Sequence, residues 1–430
     1  MTDVTGFCEY PRHAIGSGND PAVTNVLGDI RGRGLGVVLA CLVCQMGLGF
    51  GYVLGPLARD IIVELDWTRA MFSSARAPQL FVIAVASPLV GFLTVRFGAR
   101  RILALAAVLL GVAFLLLSRM QSLWHFSVVI MILGLAITGL GDITVGQVVS
   151  QWITRSRGLA LGIVYTGSNI AGFGLTRIAA AVADRSSWRE AFLWMGVAGF
   201  VILLPIAWMV VREAPKRIAV SATDGEAAGN SNDMNLSRAL RTRTFWILLF
   251  SLFSFFFYFL GMLEHLVLFL TDEGLPRSEA TAYFSNAIGL GLVSKVVLGL
   301  IADRIHHKIA LLVDYALLAL SSVLLLFLPH PTLLPVFILV FGFSVAARDV
   351  VYPLILTHCF GLRFMAAIYG ALILALLPGG TLGPIYTAWV HDRFGSYDLA
   401  FQTFAVLNLL SVLALFFVRR EFSRAGGGSV

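Results

Sequence analysis

Charge is scarce in this 430-residue chain, where Asp, Glu, Lys and Arg together make up 13% of the residues. A soluble domain carries about a quarter, so a water-facing globule is excluded. The mean hydropathy of +0.87 places the chain in the membrane class. Cysteine is scarce too, with four in all. Cys41 and Cys44 form a C-x-x-C inside an apolar run. A metal or redox site needs further ligands nearby and the sequence offers none, so the pair reads as small packing residues. No Walker sequence, no glycine-rich nucleotide loop after a strand and no metal-ligand cluster occurs. ATP-driven work and cofactor chemistry are thereby excluded, and the chain is read as no enzyme and without a cofactor. Residues 1–30 are polar, with Pro11, Gly16, Gly18 and Pro21. They lack the pattern of a cleavable signal, so the first apolar run is expected to stay in the protein.

What the chain has is long apolar runs. They lie near 35–57, 72–95, 102–118, 123–150, 158–183, 190–211, 244–270, 279–302, 309–328, 332–358, 364–390 and 398–418. Each is close to the roughly 20 residues that a helix needs to cross a bilayer. The expected fold is an all-α membrane protein of twelve transmembrane helices. With both termini cytoplasmic, the inner segments hold 20 Lys and Arg and the outer ones 7. This is the bias that the positive-inside rule requires. The net charge of +7 is thus a topology signal and not a nucleic-acid footprint.

A polar stretch at 212–243 divides the spans six and six. Its SATDGEAAGNSND portion reads as a flexible linker, and LSRALRTRTFW reads as a short basic helix on the inner membrane surface. The expected organisation is a cytoplasmic tail (1–34), a six-helix bundle (35–211), the linker (212–243), a second bundle (244–418) and a tail (419–430). The halves echo each other, because Gly91 to Arg96 follows span two as Gly299 to Arg304 follows span eight. Internal repeats of this kind mark carriers that rock two bundles around a central site.

Four cations fall inside spans: Arg76, Arg177, Lys295 and Arg348. A cation near the bilayer centre costs about 2.5–3.5 kcal/mol on insertion scales, and its natural use is to hold a passing anion. Lys295 is the foremost candidate. Arg348 lies at a similar depth in span ten, and Ser344, Arg348 and Tyr352 recur at i, i+4, i+8 as one polar stripe expected to face the cavity. Asp349, about 100° away, is expected at its edge. Asp142 in span four is either a proton carrier or the partner of a neighbouring arginine. Tyr165, Asn169 and Thr176 share one face of span five. Arg177 lies off that face, as an outer-cavity cation or a structural partner. Arg76 is expected to snorkel to the outer edge. Tyr369 in span eleven parallels Tyr165, as a carboxylate hydrogen-bond donor or a packing aromatic. Glu264 and His265 lie toward the outer end of span seven, where His265 either senses outside pH or is solvated at the surface.

Six plus six spans, a central linker, GFLTVRFGARR after span two and Gly299 to Asp303-Arg304 after span eight resemble the major facilitator superfamily. Within it, WITRSRGLALGIVYTGSNIAG (Trp152–Gly172), Trp67-Thr-Arg69, LSRALRTRTFWIL and FMAAIYGALILALLPGGTLGP running to DRFGSYDLAF resemble the monocarboxylate and oxalate/formate carriers. The resemblance implies two pseudo-symmetric six-helix bundles working by alternating access, as a monomer in the plasma or inner membrane. It implies a secondary transporter of small organic anions, proton-coupled, with a small carboxylate and H+ as its partners besides the lipid bilayer. A dicarboxylate or aromatic-acid exchanger, or an efflux carrier for hydrophobic compounds, is the alternative. In that group a cation four residues before the loop glycine binds the carboxylate, and Lys295 stands four residues before Gly299. The group usually has Arg there. Where many proton-coupled members have Asp one turn earlier, this chain has Gly291. Substrate binding is thus expected of Lys295, Arg348, Tyr369, Tyr165, Asn169 and Arg177, and proton coupling of Asp142, Asp349 and His265. The inner gate is expected from Gly91, Arg96, Gly98, Arg100, Arg101, Gly299, Asp303 and Arg304, although Val95 replaces the family's Asp in the first loop.

Overall fold

The computed structural model describes residues 33–153, 157–211, 234–302, 306–361 and 365–421. Twelve helical rods run through them. The first half holds α1 (33–64), α2 (Arg69–Phe97), α3 (Ala99–Leu117), α4 (123–152), α5 (157–185) and α6 (188–210). The second holds α7 (Arg243–Asp272), α8 (Arg277–Ala302), α9 (His307–Leu324), α10 (Leu333–Phe360), α11 (365–394) and α12 (Asp398–Leu415). Among the described residues, nine stretches are long and apolar enough to cross a membrane. The rods outside that set are α5, α8 and α10, which carry Arg177, Lys295 and Arg348.

Rod boundaries follow local chemistry. The side chains of Thr68, Ser122, Ser187 and Thr242 each accept a backbone N–H in the first turn of the rod that follows, which satisfies an otherwise orphaned donor. Gly98 closes α2 with φ of 90°, a backbone conformation that glycine adopts without strain.

Helix contacts repeat between halves. In the first half α2 packs on α4, α3 on α4 and on α6, and α1 on α5. In the second half α8 packs on α10, α9 on α10 and on α12, and α7 on α11. The halves meet where α5 packs on α8 and α2 on α11, with the end of α1 on α7. One core gathers buried side chains from Val37 to Val211 together with Leu268. The other runs from Ala239 to Val418.

Lipid tails are as apolar as leucine, so close packing and not water exclusion holds such rods together. Matching glycines show how close. A Cβ on Gly167 of α5 would lie 2.4 Å from the Leu42 carbonyl oxygen of α1, and one on Gly383 of α11 would lie 2.1 Å from that of Phe257 on α7. Only hydrogen fits at either crossing.

Three rods are interrupted. α4 breaks at Gly141, α5 at Thr166, and α11 between Ile373 and Leu376. Such breaks aim backbone groups into the interior of a membrane protein without exposing them to lipid.

Candidate substrate site and gate

The ends of the rods are named here by the chain: the near end is where α1 begins and α12 finishes, the far end the opposite one. The break of α5 meets Lys295, and the break of α4 is linked to it through Tyr165. At Thr166 the amide of Asn169 bonds the Thr166 carbonyl at 3.0 Å and not that of Tyr165 four residues back. The Tyr165 carbonyl is thus released from the helical ladder. It accepts from Ser168 Oγ at 3.2 Å and, across the halves, from Lys295 Nζ at 3.4 Å. At Gly141 the rod restarts with Asp142 in its first helical turn, where the positive end of the helix dipole favours a carboxylate. Buried Gln45 of α1 donates to Asp142 Oδ1 at 2.5 Å. The Tyr165 hydroxyl donates to the Asp142 carbonyl at 3.4 Å. Asp142 is therefore not the lone carboxylate in apolar surroundings that its sequence neighbours suggest. Lys295, Tyr165, Asp142 and Gln45 form one polar cluster from α8, α5, α4 and α1.

The other expected site residues are distributed differently. Arg348 is half-buried and stacks on Phe255 and Phe256 of α7, its guanidinium carbon 4.9 and 5.0 Å from the ring centres. Its stripe partners turn into the second bundle and not into a cavity. Tyr352 bonds Ser251 and, at 3.0 Å, Tyr315, and Ser344 Oγ donates to the Phe341 carbonyl. The cause is the aromatic face of α7, which draws this side of α10 inward. Tyr369 packs half-buried against the second core. The side chain of Asp349 lies outside the described ones. Asn169, buried at the bundle seam, donates to the Ile288 carbonyl of α8 at 2.9 Å. Arg177 bonds Asn286 at 2.6 Å and lies over Phe173, about 18 Å along the helix from Tyr165 at 1.5 Å per residue. It is not brought together with Lys295.

At the far end, ion pairs cross between the halves. Arg76 of α2 meets Glu264 of α7 at 2.6 Å, with the side chains 16% and 5% exposed. Ser73 donates to the same carboxylate. Arg76 thus does not snorkel, because a buried counter-charge stands beside it. Arg69 pairs with Asp272 at 2.6 Å and donates to Tyr397, while the Ala70 amide donates to Asp392 at 2.8 Å. On the other flank Arg277 bridges Asp60 and, at 3.3 Å, Asp184 of the first half. His265 is 1% exposed and lies within 3.1 Å of the Pro384 carbonyl and 3.4 Å of Ser73 Oγ. It belongs to the packed seam and not to the membrane surface.

Of the expected inner gate, Arg96 lies over Phe97 and Arg100 over Trp208 of α6, both within the first half. Arg101 is exposed. Gly91 and Gly98 lie in and just after α2, and Gly299 lies in α8. Asp303 and Arg304 lie outside the described residues. Reading the sequence missed Gln45, Ser73 and the partnership of Arg76 with Glu264. Only the i, i+3 spacing of Ser73 and Arg76 on one helix face hinted at the last.

A twelve-rod bundle with two repeated halves, broken helices near a half-buried lysine and ion pairs joining the halves at one end has the architecture of a membrane transporter. The chain matches the Major Facilitator Superfamily over residues 38–376. It belongs to that family. Relatives include the MFS-type transporter pytF of Aspergillus terreus, 26% identical over 56% of this chain and 76% of that one. The probable sulfoacetate transporter SauU of Cupriavidus necator is 23% identical over 85% and 88%. Monocarboxylate transporter 13 of Bos taurus is 24% identical over 86% and 85%. A solved bacterial homologue of the human lysosomal transporter Spinster, inward-facing and occupied, superposes with a TM-score of 0.64 at 18% identity over 93% and 95%.

Proposed function

We propose that this protein is a secondary transporter of small organic anions of the monocarboxylate kind, working by alternating access. The observation that carries the reading is Lys295. It is a half-buried ammonium in α8, placed where the breaks of α4 and α5 turn backbone and side-chain groups toward the seam between the bundles. The Tyr165 carbonyl that Lys295 meets is a neutral acceptor, and a carboxylate offers the ammonium a stronger, charge-assisted bond. Tyr165 and Gln45 stand beside it as further hydrogen-bonding groups. Relatives whose names refer to monocarboxylate and sulfoacetate support an anionic substrate. Asp142, part of this polar cluster, is the carboxylate assigned to proton coupling. The far-end ion pairs are the gate that opens as the near end closes, and the cytoplasm lies at the near end. The site is that of a monomer in the cell membrane.

The test is uptake of a panel of labelled carboxylates into proteoliposomes, with and without a proton gradient. Lys295→Gln is expected to abolish uptake while the protein still inserts and purifies. Normal carboxylate uptake by that variant would overturn the assignment.

A further inference from the structure

A groove of about 580 Å3 runs along the outside of the bundle seam, between α5 of one half and α8 and α10 of the other. Its walls include Ile170, Phe173, Val293 and Leu339, and none of the described residues that line it is charged. Ile170, Val293 and Leu339 are 40%, 52% and 55% exposed. It is not the transport pathway. Asn286 and Val293, the exposed lining residues on α8, lie about 180° and about 160° around the helix from Lys295 at 3.6 residues per turn, while Asn169 and Leu292 form the groove's inner wall. The groove thus faces lipid.

One end of this groove carries a cation. Arg177 donates to groove-lining Asn286 at 2.6 Å and lies 4.1 Å from the ring centre of groove-lining Phe173. Among the described residues no carboxylate pairs with it. The groove extends along α8 from Tyr283 to Val293, about 15 Å at helical rise. That is half of a hydrocarbon core of roughly 30 Å, or the depth of one leaflet. Arg177 and Asn286 lie toward the far-end opening of this span, where a lipid of that leaflet presents its headgroup.

We infer that this groove is a binding site for one anionic phospholipid of the far-side leaflet. Its phosphate meets Arg177, and one acyl chain lies between α5, α8 and α10. Because α5 and α8 belong to different bundles, the bound lipid bridges the moving seam and tunes transport without entering the pathway. This stands apart from the nature of the transported substrate.

The test uses full-length protein purified from a membrane of mixed phosphatidylcholine and phosphatidylglycerol, with retained lipid counted by mass spectrometry. Wild type is expected to retain phosphatidylglycerol above its share of the membrane. Arg177→Gln is expected to lower that excess about fivefold, the scale of one basic contact with an anionic lipid surface. Arg177→Lys is expected to keep most of it. Val293→Trp, which fills the groove and leaves the cation, is expected to lose retention of either lipid there. Equal phosphatidylglycerol retention by wild type and Arg177→Gln would overturn the proposal. So would retention of free fatty acid in place of phospholipid, or displacement of the lipid by a transported carboxylate.

Discussion

Replacing Glu264 with Gln removes the charge that neutralises Arg76 and keeps a side chain able to accept from Ser73. Glu264 is buried and Arg76 largely so, with 16% of the Arg76 side chain and 5% of that of Glu264 exposed. Removing one member of a buried pair costs about 3–5 kcal/mol, because the other charge is left uncompensated. The pair spans the two halves, so this cost falls on the state with the far end shut. Once the halves part, Arg76 meets water and the cost disappears. The lower figure is apt because Ser73 retains its bond, and about 3 kcal/mol corresponds to a shift of roughly a hundredfold in the shut-to-open ratio. Ala77 lines a cavity of about 50 Å3 beside the pair, and Ala77→Cys is a reporter of opening. Cys41, Cys44 and Cys359 are buried, and all four native cysteines are replaced in the background. A membrane-impermeant thiol reagent added from the far side should label the reporter far faster in Glu264→Gln, up to that factor, until the open state dominates. Adding Arg76→Gln to the same protein should restore slow labelling in part. Unchanged labelling in Glu264→Gln would show that the pair does not hold this end shut.

Asp60→Asn removes one of the two carboxylates on Arg277, from a pair whose side chains are 20% and 31% exposed and therefore partly solvated. A partly solvated pair whose arginine keeps a second carboxylate, Asp184, contributes about 0.2–1 kcal/mol, so reporter labelling should rise less than about fivefold, and less again in high salt; a Glu264-sized response would contradict the burial argument. Asp142→Asn keeps an acceptor for Gln45 and removes the charge. Carboxylate uptake by this variant should lose its dependence on a proton gradient, while counterflow exchange persists. Retained proton dependence would move the coupling role elsewhere. Gly383→Ala forces α11 away from the Phe257 carbonyl, an overpacking worth about 1–3 kcal/mol. It should lower the melting temperature in detergent, and an unchanged value would mean that the crossing can widen enough to admit a methyl group beside the Phe257 carbonyl.

The rods were legible in the chain because bilayer thickness imposes a length on each apolar run, and capping residues such as Thr68 and Ser187 mark where helices begin. The family was legible in local motifs. Partnerships were not. Arg76 reads as a snorkelling cation until α2 is laid against α7, and its spacing from Glu264 along the chain contains no hint of contact. The break of α4 was hidden among Gly134, Gly139 and Gly141, any of which fits a kink. The stripe Ser344, Arg348 and Tyr352 was seen as one face, but periodicity identifies a face without saying what it meets. On α10 it meets the phenylalanines of α7.

The far-end pairs have a mechanical consequence. Arg69 opens α2 and meets Asp272 at the close of α7, and Arg277 opens α8 and meets Asp60 near the close of α1. Exchanging the halves turns one pair into the other. The molecule is thus buttoned at both flanks of its pathway by symmetry-related fastenings, and the flank that also carries Arg76 and Glu264 is the firmer of the two. With one fastening cut, the bundles would pivot on the other and open askew, presenting the pathway to the membrane's side before its face.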